Sequence, residues 1–515
     1  MKHKRLLATL LTTILVFTAL SGCTRTSTPS SEGPAPSSEA PSPGSETPSD
    51  STSQGEPDEV VMALMIASAG NSADYEMIQE EINKITIPAI NTKLKIEPVP
   101  NYTEQLNLML MGGERLDLMV VQGSLLSNYV NREQILPLTS LIDEYGTGIR
   151  ENLGDYLSAT TINGEVYSIP SIRDLCRGGG FNMRKDLIEK YNIDISKLTK
   201  LEDLTEVFRI IKEGEGANFY PLGIGGAKST FIANYATYDP LDDKNGVLLN
   251  RGATDTKVVM LEETDEFKST VSLLWDWYQK GYIEPDVATT TENYATMMQT
   301  GTIFCYPTNA KPGVNVVAEI NTGYPLETVQ FVDYFATTGQ VNLFGWGIAQ
   351  GSENPEAAMK MLNMIYSDKA VMTLLSYGIE GVHYEKKADG TLGYLEGKTQ
   401  ATTGWSLNTS WLMGNQFLLD HWSGEPENLW VEQKAANDNA VKSKALGFTF
   451  NNAKVANEVA AVKSVRDEYE RFIEWGASDP AELLPTYIDK LKANGIEKII
   501  QEKQSQLDTW LASQN

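Results

Sequence analysis

Between Glu59 and Val121 the apolar residues switch repeatedly between strand and helix periods, and this alternation restricts the fold more than any other feature of the chain. Val60, Val61, Ala63, Leu64 and Ile66 form an apolar run of strand type that stops at Ser68-Ala69-Gly70-Asn71-Ser72. Tyr75, Ile78, Ile82 and Ile85 then recur at helical spacing, and Leu94 and Ile96 alternate with Lys93, Lys95 and Glu97 as a half-buried strand does. A second helical stretch over 106–111 leads into the short apolar run 116–121. The order β-α-β-α-β predicts a largely parallel sheet, because each helix covers a face of the sheet while returning the chain to start the next strand. Ligands of such sheets sit beyond the carboxyl ends of the strands, which makes 68–72 and 122–124 the first places for a site.

With 515 residues, 41% of them hydrophobic, the chain can bury two or three cores. Further amphipathic helices are expected over 204–212, 267–280, 355–377 and 453–474, a strand over 303–306, and no internal repeat is visible. The formal net charge of −26 opposes phosphate backbones and anionic membrane surfaces, so nucleic-acid binding is excluded as a function class. Cysteine is confined to Cys23, Cys176 and Cys305, without C-x-x-C spacing, and Cys176 and Cys305 are expected as buried free thiols.

The basic start Met1-Lys2-His3-Lys4-Arg5 precedes an apolar stretch over 6–20, shorter than the ~20 residues of a spanning helix. This is the pattern of an export signal. Its end, Leu20-Ser21-Gly22-Cys23, resembles the bacterial lipoprotein box, which implies a signal peptide over 1–22 and a diacylglycerol on the Cys23 thiol. Residues 24–57 are almost entirely Ser, Thr, Pro, Gly, Ala and Glu and have nothing to bury, so 23–57 reads as a lipidated cysteine followed by a disordered tether. Extended, such a tether reaches on the order of 100 Å.

Catalytic and cofactor motifs are poorly supported. Gly223-Ile224-Gly225-Gly226-Ala227-Lys228-Ser229 lacks the glycine that a phosphate loop places directly before its lysine, and reads as a glycine-rich turn. Asp243-Lys244-Asn245-Gly246 has Leu241 and Gly252 where a calcium loop needs its first and last ligands, so a hairpin turn accounts for it better. His383 and His421 are the only histidines beyond the signal, and neither an H-E-x-x-H nor a G-x-S-x-G occurs. No cofactor, metal or catalytic residue is therefore assigned. Paired carboxylates of a glycosidase stay open through the abundance of acidic residues alone.

Behind the lipoprotein box, Gly164-Glu165-Val166-Tyr167-Ser168-Ile169-Pro170 followed by Phe181-Asn182-Met183-Arg184-Lys185-Asp186-Leu187 resembles a passage of the sugar-binding solute-binding lipoproteins of ABC importers. Leu201-Glu202-Asp203-Leu204, Trp277-Tyr278-Gln279-Lys280-Gly281-Tyr282-Ile283 and Pro285-Asp286 are similar to motifs that follow it there. Met413-Gly414-Asn415-Gln416-Phe417, Leu446-Gly447-Phe448 and the stretch 502–508 resemble a longer subgroup with a C-terminal extension. The resemblance covers 59–515 and implies an α/β, periplasmic-binding-protein-like fold of two lobes joined by a hinge, with the ligand cleft between them. It implies a solute-binding domain over 58–515, with lobe 1 at about 58–172 and 303–345, lobe 2 at about 173–302 and 346–450, and a helical extension at about 451–515. Chain crossings are expected near 171–180, 301–306 and 345–350, with Gly178-Gly179-Gly180 as hinge or surface loop. The implied function is capture of a carbohydrate, an oligosaccharide in particular, by a monomer held on the outer side of the membrane by its lipid, and delivery to ABC permease subunits without catalysis. A receptor for a peptide or other solute and a lipid-anchored glycoside hydrolase are the alternatives.

A sugar presents hydroxyl edges and C–H faces, so its site needs aromatic planes and planar polar groups. Trp346, Trp405 and Trp411 are the aromatic candidates because glycine or small polar residues flank them, with core packing as the competing reading; Trp275, Trp277, Trp475 and Trp510 read as packing residues. The polar candidates are Ser68 and Asn71 after the first strand, Gln122 after the third, Arg173 and Asp174 at the first crossing, and Glu380 and His383 in a compact loop.

Overall fold

In the computed structural model, which describes residues 55–66, 73–225, 229–407 and 409–514, the opening alternation becomes strand Asp58–Met65 (β1), helix Tyr75–Ile90, strand Thr92–Val99 (β2), helix Tyr102–Gly112 and strand Leu118–Gln122 (β3). β1 runs parallel to both β2 and β3. Ile78 and Ile82, one helical turn apart, are fully buried with Val60, Met62 and Leu64 of β1. Asn83 fixes the register of helix on sheet, since its amide both accepts from the Leu94 N–H at 2.6 Å and donates to the Leu94 carbonyl at 3.0 Å.

The other strands of the two large sheets are Ile169–Pro170 (β4), Arg177–Arg184 (β5), Tyr220–Leu222 (β6), Ile303–Asn309 (β7), Leu326–Ala336 (β8), Phe344–Ile348 (β9) and Val441–Lys442 (β10). They make two five-stranded sheets, β2-β1-β3-β9-β4 and β10-β8-β5-β7-β6. Each sheet has its own hydrophobic core, and the two define the lobes.

This pairing corrects the expected division. Residues 303–336 belong to the second lobe, because β7 and β8 pair with the two edges of β5. Residues 344–440 belong to the first, because β9 pairs with β3 and helices Pro355–Ser367 and Lys369–Tyr377 cover the same core. The chain crosses between lobes at 171–176, 337–343 and 440–441, so the crossings expected at 301–306 and 345–350 lie inside sheets. Gly178, Gly179 and Gly180 are buried in the first half of β5, and a Cβ on Gly180 would collide with the Val329 carbonyl and the Ala310 methyl. They allow close strand packing and do not form a surface loop.

The apolar periodicity over 355–377 continues through two helices, because the Asp368 carboxylate accepts from the Ala370 and Val371 N–H groups and starts the second one. Helices Ala456–Glu474, Pro480–Ala493 and Ile496–Ser513 close the chain and bury Val462, Leu491 and Leu507 in the second lobe's core. Their Lys503 ammonium is fully buried against the turn at Asp243, 2.7 Å from its carboxylate. Cys176 and Cys305 are buried free thiols in different lobes.

Candidate functional site

A cavity of about 670 Å3 lies between the lobes and takes its walls from both. On the second lobe, β7 presents Tyr306, whose ring stacks on Tyr294 at 4.2 Å between centroids. The Tyr306 hydroxyl accepts from the Asn182 amide at 2.8 Å, and Asn182 in turn accepts from the Thr328 hydroxyl at 2.7 Å, so neighbouring strands hold this platform. On the first lobe Trp411 meets Phe344 edge-on at 5.0 Å, while Trp422 packs against Tyr394 at 4.6 Å and Tyr377 at 5.4 Å. Asn309, Gln416 and Gln433 supply amides among these rings. The arrangement combines flat apolar faces with planar donors and acceptors, which suits a hydroxylated ring ligand.

The floor is charged. Arg173 donates to the Asp174 carboxylate at 2.9 Å and to the Gln340 carbonyl at 2.9 Å, so it ties the first crossing to the second. Lys311, from the second lobe, pairs with the other Asp174 oxygen at 3.0 Å. Burial alone would raise the Asp174 pKa, but Lys311 and Arg173 outweigh it and hold the carboxyl below its ordinary value. Asn437 closes the arrangement from the helix Leu429–Asn439 at the third crossing, donating to the Arg173 carbonyl and accepting from the Leu175 N–H.

Of the residues expected to bind, Arg173, Asp174 and Trp411 line this cavity. Gln122 lines a second cavity, of about 660 Å3, beyond the ends of β1 to β3, and donates to the Thr103 hydroxyl at 2.9 Å. Cys23, Ser68 and Asn71 lie outside the described residues. Trp346 and Trp405 are core residues. Trp346 is fully buried between β3 and β4 with its indole N–H on the Leu412 carbonyl, and its flanking glycines leave room for β4, where a Cβ on Gly345 would strike Ser168 and the Ile169 carbonyl. The indole of Trp405 is likewise spent on the Leu375 carbonyl. His383 is buried and holds its own loop, accepting from the Ile379 N–H and facing Asp74 at 3.2 Å, while Glu380 stays exposed on the surface. Neither lines either cavity.

Tyr294, Tyr306, Tyr377, Tyr394, Trp422 and Trp430 line the cleft without having been singled out in the sequence. The one local signal was at 422–426, where Trp422-Ser423-Gly424-Glu425-Pro426 puts an aromatic residue in a turn. Among the described residues no cluster of His, Cys, Asp and Glu could hold a metal ion, and no helix is long and apolar enough to cross a membrane.

Two α/β lobes, three crossings and an aromatic cleft between them define a two-lobed solute-binding protein. The chain belongs to the bacterial extracellular solute-binding protein family, whose model matches residues 69–372. Residues 444–512 match a second model, a domain of unknown function, DUF3502. The chain is 28% identical over 444 residues to a carbohydrate ABC transporter substrate-binding protein of Streptococcus pneumoniae serotype 4, covering 83% of this chain and 87% of that one. It is 22% identical over 400 residues to the polygalacturonan/rhamnogalacturonan-binding protein YtcQ of Bacillus subtilis, covering 72% of each. The crystal structure of the N-glycan transport solute-binding protein NgtS of Streptococcus pneumoniae shares the fold, with a TM-score of 0.77 and 24% identity over 89% of this chain and 100% of that one.

Proposed function

We propose that this chain is the solute-capturing component of an ABC importer, taking an oligosaccharide into the interlobe cleft outside the cell and delivering it to the permease. The observation that carries this reading is the pair of aromatic walls, Tyr294 with Tyr306 on one lobe and Trp411, Tyr377, Tyr394 and Trp422 on the other. A ligand that touches both walls favours the closed state over the open one, and only such differential affinity shifts the equilibrium. The names of the relatives, which include carbohydrate and N-glycan binders, point the same way. In this reading the protein acts as a monomer without catalysing a reaction, and the Cys23 lipid with the 23–57 tether holds it at the outer membrane surface.

The test is thermal unfolding of the purified protein with oligosaccharides and short peptides, followed by analysis of the recovered ligand. A ligand at 100 times its dissociation constant adds about 2.7 kcal/mol to stability, so a saccharide shift with intact sugar recovered supports the reading. Cleaved sugar, or a shift with peptides alone, overturns it. Trp411→Ala is expected to raise the Kd for the bound saccharide about tenfold while moving the melting temperature by less than about 2 °C. Calorimetric titration and thermal scans of the variant measure both.

A further inference from the structure

The relatives' names span an acidic polymer, polygalacturonan, and N-glycans, so family membership leaves the charge of the ligand open. The cleft wall addresses that charge. Glu425 sits in the turn 422–425, where its N–H donates to the Trp422 carbonyl at 3.0 Å and its carboxylate accepts from the Trp422 N–H at 2.8 Å. The turn is pinned against Leu392, whose N–H donates to the His421 carbonyl and whose carbonyl accepts from the Ser423 N–H. Trp422 therefore stands with Tyr377 and Tyr394 on the cavity wall, and Glu425 lies beside them.

Among the described residues Glu425 is the one charged group of the cavity wall without an ion pair. Of the other charged residues there, Arg173 and Lys311 both pair with Asp174. Among the described residues Glu425 has no ion pair with a lysine or arginine, and His421 is the one basic group with an electrostatic influence on it. Two further polar groups of the cavity wall are unpaired. The Ser376 hydroxyl and the Trp430 indole N–H are buried in the same wall with no protein partner among the described residues, and Ser376 and Trp430 are 4% and 9% exposed. A half-buried carboxylate, a hydroxyl and an indole donor beside aromatic faces can receive the hydroxyls of a ring that stacks there. The same carboxylate repels a second one, and the charge of −26 on the chain repels polyanions before they arrive.

We propose that Glu425 is a specificity-determining residue of the cleft: with Tyr377, Tyr394 and Trp422 it forms a subsite for an uncharged, hydroxyl-bearing sugar ring, and it excludes uronic acids. This inference rests on the carbohydrate reading and narrows it to neutral glycans. Ionised Glu425 accepts ligand hydroxyls, and these charge-assisted bonds are the strong ones. Burial raises the Glu425 pKa, partly offset by the Trp422 N–H and by His421. Affinity for a neutral glycan therefore falls as pH drops through that raised pKa and the acceptor gains a proton. The other titratable groups facing this corner are His421, Tyr377 and Asp420, the last held by Lys369 and Lys386.

The experiment is calorimetric titration of the whole protein with Man5GlcNAc and kestose as neutral probes and with an oligogalacturonate of similar length, repeated across acidic to neutral pH. The expected result is binding of at least one neutral probe and none of the oligogalacturonate. Glu425→Gln keeps the turn acceptor and the shape, and is expected to weaken the neutral probe by roughly 10- to 100-fold and to flatten its pH dependence, whereas His421→Gln leaves the pH step in place. Oligogalacturonate binding to the unaltered protein, or an unchanged Kd and pH profile in Glu425→Gln, overturns the inference while leaving the carbohydrate reading intact. Binding of none of the three, with a peptide bound instead, overturns both.

Discussion

Trp346→Ala is expected to destabilise the first lobe by about 3–5 kcal/mol. Three losses add. Loss of the fully buried indole leaves a cavity on the sheet face that it covers, its apolar burial is lost from the folded state, and the Leu412 carbonyl loses its 3.0 Å partner. Gly345 and Gly347 face the opposite side of the sheet and cannot fill the void, and the close packing of Ile169 and Val121 against them keeps the strand from shifting into it. Urea unfolding followed by circular dichroism measures the loss. A change below about 1 kcal/mol would show that Trp346 is not part of the core. Trp411→Ala is the opposite case, a half-buried ring on the cleft wall whose deletion reads out in affinity instead.

Arg466→Met is expected to cost about 3–5 kcal/mol as well, for an electrostatic reason. Arg466, from helix Ala456–Glu474, donates to the Glu262 carboxylate at 2.5 Å, to the Asn245 amide oxygen at 2.9 Å and to the Lys244 carbonyl at 2.9 Å. Glu262 is completely buried, and its second oxygen has no partner among the described residues. Removing the guanidinium leaves that carboxylate in the core without compensation, and the C-terminal helices lose one of their buried polar attachments to the second lobe. Arg466→Met combined with Glu262→Leu is expected to recover most of the loss, since the penalty comes from the stranded charge and hardly from the missing attraction. Thermal scans of the two variants at neutral pH decide it. If the double variant were as unstable as the single one, the shape of the arginine would matter and its charge would not.

Placement of the aromatic residues shows where the sequence stops being readable. Trp346 and Trp411 look alike locally, each beside small residues, yet one sits between paired strands and the other on the cleft wall. What separates them is the pairing of β9 with β3 and β4, contacts made across more than a hundred residues of chain that leave no local periodicity. Gly178 to Gly180 misread for the same reason, since glycine in a strand interior and glycine in a loop are identical in sequence and differ only in what lies opposite. Arg173 and Asp174, which line the cleft, stand out in the sequence because a charged pair soon after β4 interrupts an apolar passage at a crossing. Tyr294, Tyr306, Trp422 and Glu425 come from separate segments, and nothing near any of them announces the others.

The β-α-β-α-β opening and the helical periods can be read from the chain alone, because they rest on spacing within a few turns of helix or a few residues of strand, where period and burial are coupled; the two-lobed class and the family came from the resemblance of its motifs to known solute-binding lipoproteins. Only the tertiary structure decided which lobe holds 303–336, which tryptophans are core, and which rings face one another across the cleft. Those outcomes depend on strand order and on the meeting of distant segments, and a strand's own residues specify the faces it buries without naming the strand that will lie beside it.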